Sequence, residues 1–229
     1  MNKELIKRSI TSIVLILILI SMFFSSTIMI SMIIVISFIT FYEFNRLIFK
    51  ILKSKILKYI VGGSILLYLF VFVFIIFFIE LTQYSYPLYK LYVFYSAIVC
   101  VNSDIGGYLI GKTFKGKKLT KISPNKTISG SIGSFIFSLL AIPFFINDFN
   151  SLNLNLLIVI TLIISLISQL GDLAISYLKR LSKVKDTGNI LPGHGGILDR
   201  IDGILFGVPT GFFLFKFISI IQWKKKLQF

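Results

Sequence analysis

Charge is scarce in this chain. Of 229 residues, 24 are basic and 9 acidic, so 14% are charged while 56% are hydrophobic. Soluble domains carry about a quarter charged residues, and a chain this apolar has no way to hide its surface from water, so lipid is the indicated solvent. The same excess excludes a disordered chain. A single cysteine, Cys100, lies inside an apolar run and cannot form an intramolecular disulfide, which excludes a disulfide-stapled scaffold. No long soluble domain and no internal repeat is evident. Any activity must therefore be built from loops and helix ends of a membrane bundle.

What charge there is falls between apolar runs. Lys3, Lys7 and Arg8 precede the first run, Arg46 to Lys58 follow the second, Lys112 to Lys126 fill a third gap and Lys179 to Lys185 a fourth. A net charge of +15 raises nucleic acid as a partner, but no recognition module accompanies it, and the distribution follows the positive-inside rule. We read the chain as binding the bilayer and not nucleic acid.

The uncharged runs predict an all-α, polytopic integral membrane bundle of about seven to eight spans at roughly 20 residues per crossing. Residues 1–100 form the N-terminal membrane helices: a hairpin at 9–42 turning near Ser25, Ser26 and Thr27, a span at 59–79 and another at 88–103. Residues 101–229 form the C-terminal catalytic region, with spans at 127–147, about 152–171 and 203–223. A cytoplasmic N-terminus places the basic loops in the cytoplasm and Glu80–Pro87 and Asp148–Asn155 outside. A plain seventh crossing would export Lys224, Lys225 and Lys226, so an extra or re-entrant pass is expected after Gly188.

Five of the nine acids, Asp104, Asp172, Asp186, Asp199 and Asp202, sit at or beside apolar helices on the inferred cytoplasmic half. Placing an Asp at a helix centre costs about 2.5–3.5 kcal/mol, so such residues usually face a polar cavity. The headgroup boundary, where that cost vanishes, is the alternative for Asp104 and Asp186. Asp199 and Asp202 share a helix face and could together hold a hard cation, with Arg200 as a competing counter-charge. Asp172 is followed on its own face by Ser176, Lys179 and Lys183.

Between these helices runs a loop with Gly188, Pro192, Gly193, Gly195 and Gly196, which forbids a regular helix. Its backbone amides are suited to phosphate oxygens, with Lys179, Arg180, Lys185 and Arg200 close in sequence. His194 could donate to a phosphate or cap a helix. A second polar stretch runs from Gly106-Gly107-Tyr108 and Gly111-Lys112 to Ser123-Pro124-Asn125-Lys126-Thr127 and Gly130. It is a candidate anion site or an ordinary capped loop.

These residues resemble a known family. The stretch from Ser176 to Asp202 is similar to the signature of the phosphatidate cytidylyltransferases, or CDP-diacylglycerol synthases, through Ser176, Lys179-Arg180, Lys185-Asp186, Gly188, His194-Gly195-Gly196, Asp199-Arg200 and Asp202. Gly171-Asp172-Leu173 and Asp104 to Gly133 extend the likeness over roughly the C-terminal half. One departure stands out. Where relatives carry glutamate after Ser-Pro-x-Lys-Thr-x, this chain has Ser129.

The resemblance implies a nucleotidyltransferase of phospholipid biosynthesis that condenses CTP with phosphatidic acid to CDP-diacylglycerol and pyrophosphate. It implies Asp172, Asp199 and Asp202 as ligands of Mg2+, with a second cation such as K+ suggested by relatives. Asp172, Asp199, Asp202, Lys179, Arg180 and Asp186 are then the catalytic candidates. Ser176, Lys185, His194, Gly195, Gly196, Arg200, Ser123, Lys126 and Thr127 are the substrate-binding candidates. The expected location is a bacterial cytoplasmic (inner) membrane with the site facing the cytoplasm, and a homodimer is compatible with this reading. Two rivals stand beside it. Asp199-Arg200-Ile201-Asp202-Gly203 also begins the element of CDP-alcohol phosphotransferases, but Phe206-Gly207 then breaks the pattern. A cation-coupled transporter would call for internal symmetry and paired broken helices, whereas the polar residues here collect in one continuous stretch.

Overall fold

The structure, a computed structural model, describes residues 11, 13–14, 17–18, 20–22, 24–120, 123, 125–149, 152–191, 193 and 195–226. Among these there is no strand. From Ser26 onward seven helices follow one another: α1 (Ser26–Ile51), α2 (Lys55–Thr82), α3 (Pro87–Phe114), α4 (Ile128–Leu139), α5 (Ile142–Phe145), α6 (Leu154–Leu181) and α7 (Leu198–Lys226). Six segments are long and apolar enough to cross a membrane, α4 and α5 counting together as one. The protein is an all-α polytopic membrane bundle. Described residues between 11 and 24 are also helical and end at Ser25, where the hairpin turn is expected, although much of that first arm lies outside the described residues. Ser25 caps α1, accepting from the Ile28 amide.

The helices run past the boundaries that charge counting sets. α2 begins at Lys55 and ends beyond Glu80, because lysine stems can lie along apolar surface while their ammonium groups reach out. α3 is a single helix through residue 100 and continues over Asp104, Gly106, Gly107 and Gly111, where a span ending at 103 and a polar loop are expected. The expected 127–147 span is made of two helices. Its helix breaks at Leu140 and Ala141 and resumes as α5 with Pro143 in its first turn, where the missing N–H does least harm. After Gly188 there is one helix only, α7, so among the described residues no extra helical pass follows the loop.

The chain divides into two compact units. The first comprises residues 1–82 and 178–201, the second 83–177 and 202–229. This partition differs from a boundary at residue 100, since α3 belongs whole to the second unit and the loop 182–197 belongs to the first.

Glycine governs the packing within the second unit. A Cβ added to Gly106 would lie 2.5 Å from the Gly133 carbonyl oxygen, and one on Gly130 would lie 2.8 Å from the Gly107 carbonyl oxygen. Gly107 and Gly111 on α3 thus face Gly130 and Ser134 on α4 as small residues at four-residue spacing, which lets two membrane helices approach backbone to backbone. Hydroxyls reinforce the bundle: Tyr95 bonds Thr161, Ser103 bonds Ser165 at 2.9 Å, and Ser131 donates to Gln169 at 2.6 Å. At one end, Tyr92, Tyr95, Phe145, Phe149 and Phe215 form a stacked and edge-to-face cluster.

Candidate functional site

In the second unit, the polar contacts of α6 lead towards Asp172. Thr161, Ser165 and Ser168 are buried on that helix, and Ser176, also buried, donates to Asp172 Oδ1 at 3.4 Å. Lys126, from the loop before α4, forms an ion pair with Asp172 Oδ2. The loop around Lys126 and the acid on α6, read separately from sequence, are therefore joined by one ion pair within the second unit. Asp202, at 8% exposure, faces Asp172, and Asp104 on α3 is an electrostatic neighbour of both. Asp202 Oδ1 also accepts from the Gly203 amide at 2.9 Å.

The loop carrying Lys126 is tied down by its own backbone. Leu119 N–H donates to Lys126 O at 2.8 Å, Ile128 N–H to Lys117 O at 3.0 Å and Lys126 N–H to Ser123 O at 3.1 Å. Thr127 caps α4 by accepting from the Gly130 amide at 3.1 Å. Ser129, which stands where the resemblance expects glutamate, bonds Thr127 Oγ1 at 3.0 Å and donates to the Lys115 carbonyl. Its hydroxyl is thus engaged in closing the loop. Ser123 contributes backbone bonds here, and Thr127 serves as a cap.

In the first unit, Asp199 is the hub. Lys179 Nζ lies 2.7 Å from Asp199 Oδ1, and Asp199 Oδ2 accepts from the Thr187 amide at 2.8 Å, the Thr187 hydroxyl at 3.0 Å and the Gly196 amide at 3.1 Å. Gly195, at φ +83°, packs beside Asp199 and Asp186. Arg180, Lys185, Asp186 and Arg200 are exposed. His194 lies outside the described residues.

One residue absent from the sequence reading dominates this unit. Glu43 on α1 is fully buried, and it accepts from Thr187 Oγ1 at 2.8 Å, the Ile197 amide at 3.2 Å and the Leu198 amide at 2.8 Å. A buried carboxylate is tolerable only when donors compensate its lost hydration, and the start of a helix supplies amides and a favourable dipole. The signal was present: Glu43 directly follows an uncharged run from Ser9 to Tyr42. A charge at the end of an apolar run is equally what flanks any membrane span, so the sequence does not separate the two roles.

Two expectations change as a result. The amides of Thr187, Gly196, Ile197 and Leu198 are already taken by Asp199 and Glu43, so this part of the loop is no open phosphate cradle. Asp199, expected to ligate a metal beside Asp172 and Asp202, has both oxygens engaged within the first unit. Among the described residues, no group of three His, Cys, Asp or Glu side chains is arranged to hold a metal ion. The donor set of the second unit, all carboxylate oxygens, nonetheless has the chemistry that suits a hard divalent cation, with Asp172 and Asp202 facing each other.

Comparison with known proteins bears on the same residues. Residues 7–218 match the model of the cytidylyltransferase family. A protein of Bacillus subtilis (strain 168) named phosphatidate cytidylyltransferase is 46% identical over 130 residues, covering 56% of this chain and 48% of that protein. Proteins of the same name from Staphylococcus haemolyticus (strain JCSC1435) and Staphylococcus aureus (strain COL) are 49% identical over 121 residues and 50% over 122 residues, each match covering 52% of this chain and 46% of the relative. The chain spans about half the length of the curated relatives it matches.

Proposed function

The chain belongs to the cytidylyltransferase family, and from that premise we propose that it transfers the cytidylyl group of CTP to phosphatidic acid, giving CDP-diacylglycerol and pyrophosphate. The observation that carries this reading is the family match from residue 7 to residue 218, which takes in the Glu43–Asp199 and the Asp172–Asp202 constellations together. The names of the bacterial relatives point the same way.

In this reaction the lipid phosphate attacks the α-phosphorus of CTP in line as pyrophosphate departs, so negative charge on entering and leaving oxygens must be neutralised. The lipid phosphate is ionised at neutral pH, and no general base is required. Arg180, Lys185 and Arg200, exposed at the signature segment, supply charge-assisted hydrogen bonds to phosphates. Lys126 supplies a further cation beside Asp172. Asp172 and Asp202 are the residues that would hold Mg2+, which when bound neutralises charge on the nucleotide phosphates. Lys179 and Asp199 act together, the ion pair orienting the ammonium group and the loop.

The apolar helices make this an integral membrane protein. Its bacterial relatives and the basic loops support a cytoplasmic (inner) membrane location with the signature facing the cytoplasm, where CTP is found. The test is direct: purified protein in detergent or liposomes, given labelled CTP, phosphatidic acid and magnesium, yields a lipid-soluble cytidine product and releases pyrophosphate. Absence of that product with folded protein would reject the reading.

A further inference from the structure

Glu43 plays no part in the chemistry just described, yet it is a fully buried carboxylate of the first unit whose side chain is bonded throughout. Its two oxygens receive three donors, and all three come from the signature loop or the start of α7. The loop is shaped around it. A Cβ on Gly196 would lie 2.5 Å from Glu43 Oε2 and 2.7 Å from Oε1, and one on Gly188 would lie 3.0 Å from Glu43 Cδ. Two of the signature's glycines are therefore small because a carboxylate from α1 occupies the space where their side chains would stand.

Thr187 joins this carboxylate to Asp199. Its hydroxyl is 2.8 Å from Glu43 Oε2 and 3.0 Å from Asp199 Oδ2. A hydroxyl carries one proton, so it donates to one of the two carboxylates at a time, while the Thr187 amide keeps Asp199 Oδ2 bonded in either case, at 2.8 Å. Lys185 and Asp186 directly precede Thr187, and the loop that follows turns through positive φ at Gly193 and Gly195.

We propose that Glu43 is a positioning residue of the cytidylyl transfer: its buried carboxylate locks the signature loop and the start of α7, and through Thr187 it sets the orientation of Asp199 and Lys179. The inference rests on the transfer reaction proposed above. It assigns to α1 a role in catalysis beyond spanning the bilayer. A carboxamide in this position cannot serve, because one end of Gln is a donor where only donors converge.

The experiment uses the full chain in detergent with the CTP and phosphatidic acid assay. Glu43→Gln and Thr187→Val should each lower kcat on the order of ten- to a hundredfold, the scale of an angstrom-sized misplacement, with little change in KM for CTP. Thermal midpoints should fall as well, because buried donors lose their acceptor, so kcat is taken per folded protein. Thr187→Ser, which keeps the hydroxyl, should keep the rate. A thiol at Ile190, itself exposed, introduced as Ile190→Cys in a Cys100→Ala background, should react faster once Glu43→Gln is added. Unchanged kcat in both Glu43→Gln and Thr187→Val would overturn the proposal. So would a loss that only tracks the folded fraction, with thiol reactivity unaltered. If the wild-type chain forms no lipid-soluble cytidine product, the transfer reading fails, and the thiol arm alone then upholds or overturns the hold of Glu43 on the loop.

Discussion

Lys126 and Asp172 form an ion pair that joins the loop before α4 to the C-terminal half of the acid-bearing helix α6. The lysine neutralises one carboxylate of a group in which Asp104, Asp172 and Asp202 repel one another. That relationship makes the pair a natural target for substitution.

Asp172→Asn replaces an anionic ligand by a neutral and poor one. Turnover should fall on the order of a hundredfold or more, while the folded fraction and thermal midpoint in detergent remain those of the wild type. Raising magnesium should not restore the rate. Wild-type turnover at ordinary magnesium would remove Asp172 from the reaction.

Asp199→Asn should behave differently. Asp199 and Lys179 are largely buried, with side chains 8% and 13% exposed, and removing one partner strands the other. Breaking such a pair costs about 3–5 kcal/mol, so the thermal midpoint should drop as well as the rate. The double variant Lys179→Gln with Asp199→Asn should recover part of the lost stability. A midpoint unchanged in Asp199→Asn would show that the pair does not hold the loop.

Gly106→Ala puts a methyl group 2.5 Å from the backbone oxygen of Gly133, a neighbour that cannot swing aside. The cost of such overpacking is roughly 1–3 kcal/mol, and the yield of folded, monodisperse protein should fall. Gly63→Ala is the control, since nothing lies within 4 Å of the added Cβ. Its midpoint should equal or slightly exceed that of the wild type, as alanine is the better helix former.

Sidedness can be read within the second unit. The aromatic contacts Tyr95–Phe145 and Tyr92–Phe149 place the start of α3 beside the segment that follows α5. Cysteines at Ser85 and Asp148, in a Cys100→Ala background, should therefore react from the same face, and one at Lys117 from the opposite face. The positive-inside rule makes Lys117 cytoplasmic. Reaction of Ser85→Cys and Lys117→Cys from one side would break the antiparallel arrangement.

Much of this molecule was legible before folding. The positions of the apolar helices, the break at Ser25, the irregular loop between Gly188 and Gly196, and the acids on α6 and α7 all follow from hydropathy and from residues with strong local preferences. Gly106, Gly107 and Gly111 misled for a physical reason. In water glycine weakens a helix, but here the missing side chains admit a second backbone, so the same residues lie inside α3. Ser129 likewise has no meaning in isolation, and acquires one from its bonds to Thr127 and Lys115.

The sequence by itself determined that the chain lives in lipid, where its helices run, and which polar residues lipid would not tolerate without a purpose, because the free energy of an apolar or charged side chain in a bilayer depends mainly on that side chain alone. Only the tertiary structure decided which polar groups satisfy one another. Glu43 takes the amides of Ile197 and Leu198, Lys126 takes Asp172, and Asp199 turns to Thr187, Gly196 and Lys179. The pairings of Glu43 join segments far apart in the chain, and every hydrogen bond depends on distance and direction, which spacing along a sequence does not specify.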